Sequence, residues 1–358
     1  MKILIDIGHP AHVHYFRNLA DIFINKGSEV LFTTRDKEVA IQLLEHYNFK
    51  YVNFGRPFRS RPGKIFGLLW FTLKLLKVAL KFKPDMFLNA TQYSALVAWL
   101  MRKPHIAIED TYNSEQVRLF MPFTSAVLVG NYDHPDLGKK QIKYSGYQEL
   151  AYLHPARFIP DPVIRQVLGV GIKEKYVILR FVAWGASHDY GHKGIALENK
   201  FKAVKEFANF AKVFISAEGS LPAELETLRL KIPPEKMHDV LAFASLIFSE
   251  SATMVSEAAV LGVPGIYIDS TGRYYTRDQE KYGMVFNFSE SLADQDKAIQ
   301  KGIELLKLQD TKKEFSDCHK RMLADKIDVT AFFVWFVENF PASLQEMKTN
   351  PDFQDKFK

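Results

Sequence analysis

LIFSESATMVSEAAVLGVPGIYID, at residues 246–269, encodes a strand, a turn of small residues, a helix and a second strand. The apolar run Leu246–Ser249 predicts a buried strand, and the helix that follows is predicted to end at Gly262. Pro264 cannot continue that helix, and Gly265–Asp269 predicts the second strand. Because a helical crossover joins strands that run in the same direction, this unit predicts a parallel α/β sheet.

The small-residue turn of the unit is a candidate anion site. Ser251, Ala252 and Thr253 lie at the helix start, where unpaired backbone N–H groups and the positive end of the helix dipole attract anions. Glu257 follows Thr253 by four residues and shares its helix face, so its carboxylate is placed to accept hydrogen bonds from sugar hydroxyls near a phosphate. The alternative is an ordinary crossover with a serine cap and a solvated glutamate.

Strands and helices alternate along most of the chain. At 358 residues the chain exceeds one typical core, so two domains are expected. We predict two doubly wound α/β domains at residues 1–155 and 176–330, a proline- and glycine-rich linker at 156–175, and C-terminal helices at 331–358. The remaining strands are predicted at Lys2–Ile7, Glu29–Thr33, Tyr51–Phe54, Met86–Asn89, His105–Glu109, Ala126–Val129, Tyr176–Phe181, Val213–Ser216 and Gly283–Phe286.

Composition narrows the class of protein. Cys318 is the single cysteine, which excludes an internal disulfide and fits a reducing compartment. The N-terminus reads as a strand rather than a signal peptide, so a cytoplasmic location is predicted. The net charge of +6 favours an anionic ligand or surface, but no nucleic-acid-binding motif accompanies it. No metal site and no nucleic-acid partner are predicted.

Functional side chains are expected in the loops after the strands, because ligands of doubly wound sheets bind at strand carboxyl ends. In the first domain, Gly8 and His9 open a helix entry, and His12 in its first turn is a candidate base or phosphate donor. A helix cap with incidental histidines is the alternative. Glu109 ends a buried strand and is an acid/base candidate, because a buried carboxylate is costly unless it pairs or reacts. Glu115 follows six residues later.

In the second domain, three loops carry candidate contacts to a nucleotide sugar. Small residues with serine and histidine suit a pyrophosphate, arginine suits phosphate by its bidentate geometry, and polar side chains suit sugar hydroxyls. An exposed loop without a ligand is the alternative. Besides the turn at residues 251–253, these candidates are Arg180, Ser187, His188, Asp189, Arg273, Asp278 and Gln279.

Residues 56–83 contain no acidic residue, and their lysines and arginines are interspersed among tryptophan, phenylalanine and leucine. Lys74 and Lys77 interrupt the apolar run, which argues against a transmembrane helix. A basic amphipathic segment with large aromatic residues is typical of peripheral binding to an anionic membrane, here the inner face of the cytoplasmic membrane. The alternative is a core helix with a basic outer face.

Three motifs together resemble a family catalogued as a domain of unknown function, family 354. They are the segments Asp6–His14, Arg180–Asp189 and Ser249–Thr253. That family is similar to the GT-B superfamily. The resemblance implies two Rossmann-like domains that face each other across a cleft for a nucleotide sugar, and a C-terminal helix that returns to the N-terminal domain.

Two GT-B branches share local features with the chain. In UDP-N-acetylglucosamine 2-epimerases, a Ser-Gly-Gly turn and a glutamate resemble Ser251–Thr253 and Glu257, which implies phosphate and ribose contacts. Their acidic residues are similar in position to Glu109 and Glu115, and their second-domain histidine is similar to His188. An aspartate of the epimerases is replaced by threonine here, at residue 91.

The second branch comprises membrane-associated glycosyltransferases similar to the peptidoglycan N-acetylglucosamine transferase. Their first glycine-rich loop resembles Gly8–His9, and their donor-binding glutamate corresponds to Glu257. They dock on the membrane through a basic, apolar patch, which residues 56–83 resemble.

The predicted function is transfer of a glycosyl group from a nucleotide sugar, a UDP-sugar in particular, in cell-surface polysaccharide synthesis. His12 or Glu109 would be the base toward a lipid-linked or saccharide acceptor. Donors around Ser187, His188 and Ser251–Thr253 would stabilise the leaving diphosphate, with no cofactor. The alternatives are a 2-epimerase, in which Glu109, Glu115 and His188 move protons, and a non-catalytic nucleotide-sugar-binding scaffold.

Overall fold

The computed structural model describes residues 1–36, 39–56, 58, 61–89, 91–112, 114–182 and 193–358. The chain forms two compact units. The first comprises Met1–Arg157 with Lys326–Lys358, and the second comprises Phe158–Asp325.

The first unit contains a seven-stranded parallel sheet in the order β3-β2-β1-β4-β5-β6-β7. Its strands are β1 (Lys2–Asp6), β2 (Glu29–Thr34), β3 (Tyr51–Asn53), β4 (Met86–Leu88), β5 (His105–Glu109), β6 (Ala126–Gly130) and β7 (Gln141–Tyr144). Its helices are α1 (Pro10–Asn25), α2 (Ala40–His46), α3 (Arg61–Phe82), α4 (Gln92–Leu100), α5 (Ser114–Phe120), α6 (Leu150–Leu153), α16 (Val329–Glu338) and α17 (Ala342–Thr349).

The second unit contains a five-stranded parallel sheet in the order β12-β11-β10-β8-β9. Its strands are β8 (Tyr176–Phe181), β9 (Lys212–Ala217), β10 (Leu246–Ser249), β11 (Gly265–Ile268) and β12 (Val285–Phe288). Its helices are α7 (Ile164–Val167), α8 (Leu197–Phe207), α9 (Ala223–Glu226), α10 (Met237–Ala242), α11 (Ala252–Val260), α12 (Tyr274–Lys281), α13 (Leu292–Lys307), α14 (Thr311–Glu314) and α15 (Ser316–Ala324).

The deciding stretch forms the predicted βαβ unit. β10 and β11 are parallel neighbours, with Ile247 opposite Gly265, and α11 connects them. Gly262 ends α11 with φ +81°, a left-handed conformation that glycine adopts without a Cβ clash. Both strands are buried throughout, as expected for parallel strands covered by helices.

The C-terminal helices return to the first unit, as the resemblance implied. α16 packs against α1 and α6. The hydroxyl of Thr330 donates to the carbonyl of Ala151 at 2.5 Å. Arg157 and Asp328 form an ion pair at 2.6 Å. These contacts attach the last residues of the chain to the first sheet.

The residues predicted as a linker, 156–175, largely belong to the second unit. They contain α7, which packs against α10. The backbone N–H of Asp161 donates to Asp239 Oδ1 at 2.9 Å, which fixes the segment to the same unit. Proline and glycine signal turns here, but these turns pack on the neighbouring helix instead of separating two bodies.

Candidate functional site

The carboxyl edge of the first sheet carries a buried ion pair between Asp6 and Arg35. Asp6 ends β1, and Arg35 follows β2, its neighbour in the sheet. Their closest atoms, Oδ2 and Nη1, are 3.2 Å apart, and both side chains are buried. The carboxylate also accepts hydrogen bonds from the hydroxyls of Thr33, at 2.8 Å, and Thr91, at 2.5 Å. Asp6 is therefore fully compensated, as a buried charge requires.

His12 is oriented by two hydrogen-bond donors. The backbone N–H of Gly8 donates to His12 Nδ1 at 3.2 Å, and Asn89 Nδ2 lies 2.7 Å from the same atom. Because a backbone amide can only donate, Nδ1 carries the lone pair, and the neutral ring carries its proton on Nε2. The predicted role of His12 as a base stays a prediction, and in this tautomer its ring presents an Nε2–H donor.

Asn89 is held in an unusual backbone conformation to make that contact. Its φ is +96°, outside the range that residues with a Cβ ordinarily adopt, although asparagine tolerates it better than most. Its Nδ2 also donates to the backbone carbonyl of Asp6 at 2.6 Å. Backbone strain of this kind persists where the surrounding structure over-determines it, typically at functional sites.

His9 caps α1 and is exposed. Its Nδ1 accepts a hydrogen bond from the backbone N–H of Ala11 at 3.2 Å, and Pro10 occupies the first helical position. The capping interpretation of His9 therefore holds, and its exposed ring leaves a ligand contact open as a proposal.

Glu109 is the acid/base candidate with a shifted pKa. It ends β5 and is buried, with Oε1 accepting from the backbone N–H groups of Thr111 at 3.0 Å and Tyr112 at 2.8 Å. Burial, and then the charge of Asp110, raise its pKa to about 7, against the lowering effect of these amides. A group with this pKa exchanges a proton near neutral pH.

A chain of buried hydrogen bonds connects Asp6, through Thr91, to His105 at the start of β5. Thr91 Oγ1 lies 2.8 Å from Ser94 Oγ, which lies 2.9 Å from His105 Nε2. His105 Nδ1 contacts Thr124 Oγ1 at 2.8 Å. Burial lowers the pKa of His105 to about 3, so its ring stays neutral and acts as a structural connector rather than a base.

In the second unit, the predicted anion site lies at the start of α11. Ser251 is the N-cap, and within the part of the chain that the structure describes its side chain makes no capping bond. Ser249 Oγ instead accepts from the backbone N–H of Ser251 at 2.7 Å. Ala252 is buried and Thr253 is half-buried in the first turn. The first-turn amides, which have no acceptor within the helix, therefore adjoin small side chains.

Glu257 lies one turn further along α11 and is buried. Its Oε1 is 3.0 Å from His238 Nε2, and both side chains are almost fully enclosed. The imidazole thus fixes the carboxylate that we predicted to accept hydrogen bonds from sugar hydroxyls. His238 on α10 gave no signal in the sequence, because it is a single histidine in a short helix.

Glu250 fixes the two ends of the loop after β8. Its Oε2 accepts from the backbone N–H of Val182 at 2.7 Å, and its Oε1 accepts from that of Ile195 at 2.6 Å. Lys200 Nζ lies 3.3 Å from Oε1. Burial raises the pKa of Glu250, while Lys200 and the two amides lower it in part. Glu250 therefore holds Val182 and Ile195 in place; the pyrophosphate candidates between them lie outside the described residues.

The predicted arginines make protein contacts. Arg180, in β8, donates to Ser216 Oγ at 3.0 Å and forms an ion pair with Glu218. Arg273 caps α12, and its Nη1 donates to the Gly272 carbonyl at 2.8 Å. Both lie at the carboxyl edge of the second sheet, where a phosphate contact remains a prediction.

Asp278 and Gln279 are both buried in α12. Asp278 lies 3.6 Å from the amine of Lys281, and Gln279 Nε2 donates to Ser256 Oγ at 2.7 Å. Gln279 is fully enclosed between α11 and α12. In this structure its amide therefore serves the packing of the two helices, and its predicted contact with a sugar stays a prediction.

Four predicted positions lie outside what the structure describes. Ser187, His188 and Asp189 are outside the described residues, and so is the side chain of Glu115 in α5. Among the described residues, no group of three or more histidine, cysteine, aspartate or glutamate side chains is arranged to hold a metal ion.

Comparison with known proteins identifies the family and the fold. The model of the family "Protein of unknown function (DUF354)" matches residues 1–314. An uncharacterised protein of Methanocaldococcus jannaschii is 25% identical over 279 residues, which cover 74% of this chain and 81% of that protein.

Solved structures of two enzyme types have the same fold. The UDP-GlcNAc 2-epimerase of Neisseria meningitidis bound to UDP-GlcNAc has a TM-score of 0.66 at 16% identity, covering 90% of this chain and 99% of that one. The spinosyn rhamnosyltransferase complexed with spinosyn aglycone has a TM-score of 0.61 at 13% identity, covering 95% and 100%. The two Rossmann-like units thus form a GT-B fold, as predicted.

Proposed function

The chain belongs to the DUF354 family of proteins of unknown function, and we propose that it is a GT-B glycosyltransferase whose donor is a nucleotide sugar, a UDP-sugar in particular. The observation that carries the proposal is Glu109, a buried carboxylate at the end of β5 whose pKa is raised to about 7. Another buried carboxylate at that edge, Asp6, is paired with Arg35.

Glycosyl transfer to a hydroxyl group needs only one general base. An acceptor hydroxyl loses its proton to Glu109 as its oxygen attacks the anomeric carbon, and the bond from that carbon to the diphosphate oxygen breaks. Epimerisation at C2 removes a proton from one face and returns one to the other, which calls for two groups. Thr91 replaces the aspartate of the epimerases, and its hydroxyl is committed to Asp6.

His12 acts as a donor in this proposal. Its neutral ring presents an Nε2–H, because Gly8 and Asn89 occupy Nδ1. A donor of this kind orients an acceptor oxygen or stabilises charge that develops on a leaving group.

The start of α11 is the proposed diphosphate site, with Glu257 near the ribose. Backbone N–H groups and the helix dipole supply positive potential there, so the proposal includes neither a metal nor a cofactor. The acceptor is proposed to be lipid-linked or a saccharide, in cell-surface polysaccharide synthesis on the cytoplasmic side of the membrane.

The second candidate is a UDP-GlcNAc 2-epimerase, favoured by the similarity to the epimerase structures. Incubation with UDP-GlcNAc alone in heavy water separates the two. Deuterium at C2 would establish epimerisation and refute pure transfer. UDP release that requires a lipid-linked or saccharide acceptor, and that fails in Glu109→Gln, supports transfer. Tight binding with neither reaction would favour a scaffold.

A negative charge introduced at the start of α11 tests the proposed nucleotide site. Thr253→Asp places a carboxylate in the first turn of α11, and Ala293→Asp places one at an exposed first-turn position of α13 in the same unit. UDP affinity measured by calorimetry should fall at least tenfold in Thr253→Asp and remain unchanged in Ala293→Asp. Equal affinities in both variants would refute the assignment.

A further inference from the structure

Helix α3 is apolar on two opposite faces. Its inner face packs Phe71, Leu75 and Ala79 into the core of the first unit. A helix at a protein surface ordinarily presents polar residues on its outer face. The outer face of α3 instead exposes large apolar side chains: Phe66 (55% exposed), Leu69 (65%), Trp70 (43%), Leu73 (62%) and Leu80 (58%).

These five side chains form one continuous strip. They recur at spacings of three, four and seven residues, which places them within about 100° of the helix circumference. Phe66 and Trp70 stack with ring centroids 6.0 Å apart. A large aromatic side chain has roughly 150–250 Å² of surface, so the strip presents about 500 Å², in the range of the functional patches of monomers.

The charged residues of the segment that carries the strip are all basic. Residues 56–83 contain no aspartate or glutamate. Lys77 and Lys81 are exposed on the same face of α3, and Lys83 is exposed just beyond its end. The amine of Lys74 lies 5.1 Å from the Trp70 ring centroid and donates to the Phe54 carbonyl at 2.9 Å, so it supplies charge from a fixed position.

The exposed apolar side chains and the surrounding lysines together indicate what binds to the strip. A second copy of this chain would bring two positive faces together, since a two-fold interface pairs each patch with itself. The patch is also smaller than the roughly 800 Å² per partner that a stable interface buries. An anionic bilayer supplies negative headgroups for the lysines and an apolar layer for the aromatic and leucine side chains. Among the described residues, no helix is both long enough and apolar enough to cross a membrane.

We propose that the strip, with Lys77 and Lys81, binds the surface of an anionic lipid bilayer with α3 parallel to the membrane plane. α3 connects β3 to β4 and runs antiparallel to them, so its aromatic N-terminal part lies at the carboxyl edge of the sheet. Asn89 and Glu109 lie at that edge. The docked bilayer is therefore next to the candidate site of the first unit. This inference does not depend on the proposed reaction.

The experiment is vesicle co-sedimentation of the full chain. Vesicles contain either phosphatidylcholine alone or phosphatidylcholine mixed with the anionic lipid phosphatidylglycerol, so that only the mixed vesicles have a negative surface potential. We expect binding to the mixed vesicles, weakened by 0.5 M salt, and little binding to phosphatidylcholine. Equal binding to both would refute the electrostatic part of the proposal.

Two double variants of α3, each with a control double variant in the second unit, test the strip and its lysines. Lys77→Gln with Lys81→Gln should weaken binding about 30-fold, at roughly fivefold for each charge. Lys297→Gln with Lys320→Gln, on exposed helices of the second unit, should have no effect. Trp70→Ala with Leu73→Ala should abolish binding, and Leu292→Ala with Ile172→Ala, also exposed, should not.

Two outcomes would overturn the proposal. One is unchanged binding in the α3 variants. The other is a dimer in solution, measured by light scattering without lipid, that Trp70→Ala with Leu73→Ala dissociates, because a second copy would then cover the strip. Circular dichroism melting confirms that each variant is folded.

Discussion

Glu109→Gln is expected to stabilise the protein while it removes the proposed base. The pKa of Glu109 is raised from 4.5 to about 7 in the folded chain, first by burial and then by the charge of Asp110. Glutamine is uncharged at every pH, and its Oε1 still accepts from the amides of Thr111 and Tyr112. The substitution therefore removes the cost of the buried charge and preserves the turn.

The sign follows from proton linkage. Between pH 4.5 and 7 the folded chain holds a proton on Glu109 that the unfolded chain has lost, so stability falls as pH rises through this window. A shift of about 2.5 pKa units corresponds to about 3 kcal/mol at 1.36 kcal/mol per unit. Glu109→Gln should thus be about 2–3 kcal/mol more stable than the wild type at pH 8 and equal to it near pH 4.5.

Urea unfolding followed by tryptophan fluorescence measures this difference. Three of the four tryptophans, Trp70, Trp99 and Trp335, lie in the first unit, so the signal reports mainly on that unit. Glu304→Gln is the matched control, since its carboxylate is exposed. A gap between Glu109→Gln and wild type that is the same at pH 5.5 and pH 8 would refute the raised pKa, and the base assignment with it.

Two other substitutions test the supports of the site. Asn89→Gly keeps the left-handed backbone free of strain but deletes the side-chain amide. Two-bond ¹H–¹⁵N spectra should then show the His12 ring exchanging between its two tautomers. A ring that stays protonated on Nε2 alone would mean that the Gly8 amide is sufficient to fix the tautomer. Glu250→Gln loses its ion pair with Lys200, and hydrogen exchange of the two backbone amides that it holds should accelerate about tenfold, consistent with losing 1–3 kcal/mol; unchanged exchange would show that the charge is not what anchors the loop.

The sequence predicts the strands of both sheets well, because buried parallel strands are short apolar runs with little ambiguity. His105–Glu109 and Tyr176–Phe181 have the predicted bounds. β7 escaped prediction because Gln141–Tyr144 is an edge strand with exposed polar residues. α12 escaped for a similar reason, since Tyr274–Lys281 is rich in charged and polar residues and lacks an apolar run.

A site residue was predictable only where its own type and its place in a strand or helix indicated a function. Glu109 stands out because it is a carboxylate at the end of an apolar strand. The Asp6–Arg35 pair and the contact from Asn89 to His12 join residues that are 29 and 77 positions apart in the sequence. No local pattern encodes such contacts. The enclosure of Gln279 is likewise a tertiary fact that helix periodicity did not reveal.

Two buried carboxylates at strand ends of the first sheet support our proposal of transfer over epimerisation. Asp6 and Glu109 end β1 and β5, which flank β4. Asp6 receives a guanidinium and two hydroxyls, so its carboxylate is committed to structural contacts. Glu109 receives only amides and faces a second carboxylate, so its proton is held near neutrality. Similar burial thus produces one structural anion and one proton carrier, and a single carrier is what the acceptor hydroxyl of a transferase requires.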